Sequence, residues 1–170
     1  MKSLYFNGFS LENENNLFSE YLIHNEFTIS GFSYGAIKAF EYSLCCDERI
    51  DKLQLLSPAF FNDKKDKFKR MQMMFFSKDS NEYARNFLTN CGFDEKLSQK
   101  YFKLGNAQEL NELLYYEWDK EKLQKLVDKG IVIEIYLGGK DCIINSHEAC
   151  EFFKEFGEVY FIKSASHILQ

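Results

Sequence analysis

Gly31-Phe32-Ser33-Tyr34-Gly35 sets a serine between two glycines, just after the apolar run Phe27-Thr28-Ile29 and just before a stretch of helical periodicity. A strand, a sharp turn and a helix in that order lift a serine oxygen above a sheet edge, with helix amides beneath it. The flanking glycines are expected to let the turn take strained backbone angles. A serine hydroxyl becomes nucleophilic at neutral pH when a histidine accepts its proton. That histidine in turn needs a carboxylate to fix its tautomer and stabilise its charged form. The chemistry to look for is acyl transfer through serine.

Three histidines are available. His167 follows the last strand-like run through Lys163-Ser164-Ala165-Ser166, on a loop at that strand's carboxyl end. Parallel strands bring their carboxyl ends to one edge, where sites of open α/β sheets form, so His167 is the expected general base. His24 ends the first helical stretch and His147 starts the helix near 146–156; neither is placed to reach Ser33. In Tyr136-Leu137-Gly138-Gly139-Lys140-Asp141 a carboxylate lies just past the strand before the last, with glycines that permit a tight turn, so Asp141 is the expected acid. Asp63, at the head of a run of charges, is the weaker candidate. A tetrahedral intermediate also needs two amide donors. Tyr34, next to the serine, is one, and Phe9 in the turn Asn7-Gly8-Phe9 is the other.

These residues need a scaffold that gathers strand ends. Strand-length apolar runs near 3–7, 27–31, 51–57, 131–137 and 158–163 alternate with helical periodicity, the pattern of a parallel α/β sheet of about five strands. One parity is uniformly apolar, as in Leu53/Leu55 and Ile131/Ile133/Ile135. The other mixes Tyr5, Thr28, Ser30, Gln54, Glu134 and Tyr160 with Leu56 and Val132. Helices are therefore expected mainly on one face. The semi-polar face is left either partly solvated or closed by a second copy in a homodimer. Leu17, Tyr21 and Leu22 give the first crossover a helical stripe, and Ile37, Phe40, Leu44 and Cys45 do so after Ser33. From Phe61 to Gly130 about 70 residues carry no strand signal and read as helices near 63–76, 79–90, 94–104, 107–116 and 119–129. The expected organisation is one domain over 1–170, with its core in 1–60 and 130–170 and a helical cap inserted over about 61–129.

Composition narrows the class. The 170 residues are 45% hydrophobic, enough for one substantial core. A net charge of −5 argues against a nucleic-acid partner, although Lys64, Lys65, Lys67, Lys69 and Arg70 form a local basic run. Five cysteines with no C-x-x-C pair support neither a disulfide framework nor a zinc site and suit a reducing cytoplasm. The absence of a long apolar segment argues against secretion and membrane spanning.

Together the elbow at Ser33, the Asn7-Gly8-Phe9 turn, Gly138-Gly139-Lys140-Asp141 and Ser166-His167 resemble the α/β-hydrolase family over nearly the whole chain. The chain looks like an abbreviated member, lacking the first two strands, one later strand with its helix, and the helix that usually follows the histidine. Asn7 stands where a histidine is frequent and Asn145 where a proline often follows the acid. Within the family, the short length and the cap resemble the pimeloyl-acyl carrier protein methyl ester esterases of biotin synthesis.

That resemblance implies hydrolysis of a methyl ester at the far end of an acyl chain on acyl carrier protein, releasing methanol, with no metal or organic cofactor. Met71, Met74, Phe75 and Trp118 are candidates to line an apolar channel for the chain. The run Lys64, Lys65, Lys67, Lys69, Arg70 is the candidate docking face for an acidic carrier. A thioesterase or general short-chain carboxylesterase uses the same machinery. A non-catalytic binding module on a truncated fold is the alternative outside enzymes.

Overall fold

Hydrophobic alternation of period two builds the centre of the molecule. The computed structural model describes residues 3–170. Among them, strands β1 (Leu4–Phe6), β2 (Thr28–Phe32), β3 (Lys52–Leu56), β4 (Val132–Gly138) and β5 (Glu158–Ile162) form one sheet in the order β1-β2-β3-β4-β5, all pairs parallel. The register aligns side chains of one parity into rows, Leu4 beside Ile29, Ile29 beside Leu53 and Leu53 beside Ile133, so one whole face is apolar. Onto that face pack α1 (Tyr34–Cys45), α6 (Lys120–Asp128) and α7 (Ser146–Phe153). Small buried residues on α1, Gly35, Ala36 and Ala39, let it lie close to the strands, and Ile37 and Phe40 fill the remaining space.

The second face is closed differently from expectation. Residues 14–24 cross it as a 3₁₀ turn (Glu14–Phe18) followed by irregular backbone, not as an α-helix. The reason lies in the sheet. The buried Gln54 side chain donates to the Tyr21 carbonyl (2.9 Å) and accepts from the Ile23 amide (3.0 Å), supplying the partners a helix would have supplied. Phe18 packs on Phe32 at 4.7 Å and Tyr21 on Tyr136 at 5.2 Å. Thr28, Ser30, Gln54 and Glu134 are thus buried by the chain itself, while Val132 and Tyr160 remain exposed. Because β1, β2 and β3 follow in order, this connection and α1 lie on opposite faces with opposite hands. One of them departs from the right-handed rule for parallel crossovers.

The insertion between β3 and β4 divides in two. Helices α2 (Asp66–Lys78), α3 (Ser80–Cys91), α4 (Glu95–Tyr101) and α5 (Ala107–Tyr115) form the cap, whereas α6 lies beside α1 against the sheet. Asp79 turns α2 into α3, its side chain accepting from the Glu82 amide (2.9 Å), and Gly92 ends α3 in the left-handed conformation at φ 109°. No helix among the described residues is long and apolar enough to cross a membrane.

Candidate active site

Five non-glycine residues among those described take a positive φ: Ser10, Asn13, Ser33, Ser57 and Leu169. Ser33 joins β2 to α1 with φ 53° and ψ −112°, a conformation that costs a non-glycine residue about 1–3 kcal/mol and is held only by its surroundings. Those surroundings are visible. The Ser33 amide donates to the Leu56 carbonyl (2.9 Å), and its own carbonyl accepts from Ala36 and Ala59 (both 3.1 Å). The strained angle falls on the serine and not, as the sequence suggested, on the glycines. A Cβ on Gly31 would sit 2.1 Å from the Gly35 carbonyl oxygen, and one on Gly35 would sit 2.0 Å from that of Phe6. The glycines therefore permit close approach of helix, strand and neighbouring strand, with no left-handed angle of their own.

Ser33 Oγ lies 2.9 Å from His167 Nε2, and His167 Nδ1 lies 2.5 Å from Asp141 Oδ2, in a site where all three side chains are buried. Each partner has its own support. The other Asp141 oxygen accepts the amides of Ile143 (2.7 Å) and Ile144 (3.0 Å). Gly138 lies so close to the histidine loop that a Cβ there would meet the Ser166 carbonyl at 2.1 Å. The Ser57 hydroxyl, after β3, donates to the His167 carbonyl (2.6 Å), and the Lys140 amide donates to Ala165 (2.8 Å). Asn145 caps α7 by accepting the Glu148 amide, giving this turn an ending that needs no proline. Burial alone would push the Asp141 carboxyl up. Attraction to His167, the hydrogen bond between them and the amides of Ile144 and Ile143 outweigh it and hold the carboxyl below its ordinary range. A serine oxygen, an imidazole and an ionised carboxylate in this order can pass a proton from the hydroxyl to the ring and back.

The amides of Phe9 and Tyr34 take no acceptor among the described residues, which leaves both donors available. The Tyr34 ring carries a second connection, its hydroxyl donating to Glu112 of α5 and so tying the cap to the elbow. Asp63 pairs with the adjacent Lys64 (3.3 Å), and the His147 ring packs on Phe161.

A cavity of about 470 Å³ opens between α2, α3 and α5 beside the acid's turn, walled by Phe61, Phe68, Phe75, Phe87, Leu114 and Ile143. Of the channel candidates, Phe75 lines it. Met71 and Met74 point to solvent, at 40% and 58% exposure. Trp118 is a correction: it is buried between Phe40 (5.1 Å) and Phe153 (5.0 Å), with its indole N–H on the Ala59 carbonyl (2.8 Å), and packs α6 onto the core. Lys69 is also buried, with its ammonium 5.5 Å from the centre of the Tyr115 ring, whereas Lys65, Lys67 and Arg70 are exposed. Two residues of the site carried no sequence signal. Ser57 is one. The other is Glu14, buried beneath the Asn7-Gly8-Phe9 turn in a polar stretch that reads as surface.

The fold has counterparts among solved structures. An esterase from Exiguobacterium antarcticum superposes with a TM-score of 0.72 at 15% identity, over 97% of this chain and 84% of that one. The chain has the α/β-hydrolase fold. A lipase-esterase related protein from Clostridium acetobutylicum shares this hydrolase fold with a TM-score of 0.67 at 18% identity, over 98% and 86% of the two chains. BioG from Haemophilus influenzae shares it at 0.63 and 12%, over 98% and 88%. No family model matches the sequence. None of the curated proteins matches it either. The hydrolase fold is thus recognisable through backbone geometry at identities too low to carry more than the fold.

Proposed function

We propose that this protein is a carboxylic ester hydrolase in which Ser33 attacks the ester carbonyl, His167 takes and returns the proton, and Asp141 orients His167. The continuous Ser33–His167–Asp141 hydrogen-bonded chain, with the serine held at a strained elbow, carries the reading. The free amides of Phe9 and Tyr34 stabilise the oxyanion. Attack gives an acyl-enzyme on Ser33 and releases the alcohol with the proton from His167. Water activated by the same histidine then releases the acid.

The substrate we propose is the methyl ester of an acyl chain borne by acyl carrier protein, the pimeloyl ester of biotin synthesis, acted on in the cytoplasm. Helix α2 supports this. It turns Phe68, Gln72 and Phe75 into the cavity and presents Lys67 and Arg70 to solvent on its outer side, an apolar wall beside a cationic surface on one element. All five cysteines are unpaired, which suits a reducing compartment.

Turnover of pimeloyl-acyl carrier protein methyl ester is compared with acyl-coenzyme A thioesters and p-nitrophenyl butyrate, using Ser33→Ala as the control. Preference for the carrier-borne methyl ester supports the substrate, and thioester preference rejects it. If the folded wild type hydrolyses none of these and resists a fluorophosphonate probe, the hydrolase reading itself is lost.

A further inference from the structure

Glu14 is fully buried, yet it lies in the polar run Glu12-Asn13-Glu14-Asn15. Its Oε1 accepts the Gly8 amide at 2.7 Å and the Tyr5 hydroxyl at 3.1 Å. Its Oε2 is buried without any partner, the one such side-chain oxygen or nitrogen among the described residues. A buried carboxylate with no counter-charge is far more costly than a buried neutral acid. Both donors meet the same oxygen, so the carboxyl grips the turn through Oε1. Burial pushes the carboxyl above its ordinary range, against the opposing pull of the Gly8 and Glu14 amides and the Tyr5 hydroxyl.

The place of this acid gives it a task. Gly8 precedes Phe9, whose amide is one of the two free donors of the site, and the turn is pressed so tightly that a Cβ on Gly8 would lie 2.8 Å from the Phe32 ring. Ser10 and Asn13 both take φ 58°, in the left-handed region, and the tight bend between them returns the chain so that Glu14 reaches Gly8. We infer that Glu14 is a positioning residue which, through Oε1 on the Gly8 amide, holds the Asn7-Gly8-Phe9 turn so that the Phe9 amide is preorganised for the oxyanion. The inference rests on the ester-hydrolase reading.

Glu14→Gln keeps the Oε1 acceptor and the shape; Glu14→Leu keeps only bulk. Using p-nitrophenyl butyrate, kcat and KM are measured for both beside wild type and Ser33→Ala, with thermal unfolding as the check on folding. Glu14→Leu is expected to lose about 30- to 300-fold in kcat with KM changed by less than about 3-fold, the range for losing one oxyanion donor, and Glu14→Gln to retain kcat within about 5-fold. Exchange of the Gly8 amide proton, followed by NMR in the free protein, is expected to stay slow in wild type and Glu14→Gln. It should quicken by at least about 10-fold in Glu14→Leu, or in Glu14→Asp should the leucine variant not fold. Full kcat in Glu14→Leu, an equal loss in Glu14→Gln, a loss confined to KM, or unchanged Gly8 exchange overturns the inference while leaving the hydrolase reading intact. An inactive wild type removes that reading instead.

Discussion

At the scale of the residue, Asp141 and Ser33 make separable contributions. Asparagine at 141 keeps the shape but presents an amide N–H or a weaker acceptor to His167 Nδ1, favouring the wrong tautomer. Asp141→Asn is expected to lose about 10³- to 10⁴-fold in kcat. Its stability should also depend on pH in a defined direction. A carboxyl held below its ordinary value contributes stability that is complete above about pH 4 and fades as pH falls through the folded-state value. The gap in denaturation midpoint between wild type and Asp141→Asn is therefore expected to be constant from pH 5 to 7 and to close on acidification; a gap that widens would contradict the assignment. Ser33 stores strain as well as chemistry. Ser33→Gly and Ser33→Ala should both be inactive, yet the glycine variant should be the more stable by about 1 kcal/mol. That is the relief of about 1–3 kcal/mol of strain less the extra unfolded-chain entropy of glycine. Chemical denaturation of the two variants side by side measures it.

At the scale of the element, cap and core divide the aromatic residues between them. Trp118 anchors the start of α6 to the sheet through Phe40, Phe153 and the Ala59 carbonyl, so Trp118→Ala should cost about 3–5 kcal/mol in denaturant unfolding. Phe75, 45% exposed on α2, should cost less than about 1 kcal/mol when truncated, while KM for long acyl esters rises. Equal stability losses in the two variants would contradict this division. Sequence periodicity placed α2 to α5 within a few residues, with breaks at Ser77, Gly92 and Gly105; in the structure Asp79 caps the start of α3, Gly92 ends it, and the Asn106–Glu109 capping box opens α5 just after Gly105. It could not separate Trp118 from Phe75. Both are large apolar residues of the strand-free segment 61–129, and only the position of α6 beside α1 makes one of them core.

For the whole molecule, charge is arranged against the average. The chain carries −5, yet Lys65, Lys67 and Arg70 stand exposed along α2 beside the cavity. Reversing all three to glutamate is expected to raise KM for a carrier-borne ester by about 10-fold or more and to leave p-nitrophenyl butyrate within about 2-fold. Added salt should reproduce the first effect on the wild type. An equal effect on both substrates would show that α2 shapes the cavity and does not dock a carrier.

Strand number, parallel arrangement, the elbow and the candidate partners Asp141 and His167 were legible in the sequence, because they rest on local signals: period-two alternation, glycine spacing and chain order. The tertiary structure decided what depends on contacts between distant segments. Gln54, on β3, turned the first crossover away from α-helix by binding the backbone of residues 21 and 23. Gly31 and Gly35 proved to serve close packing, and the strain fell on Ser33, because the backbones of α1 and β1 crowd there. Glu14 reads as a surface residue in its own neighbourhood and becomes a buried acid only when the loop folds back under Gly8. Local sequence sets the identity and order of groups; burial, which fixes their charge and role, is a property of the folded chain.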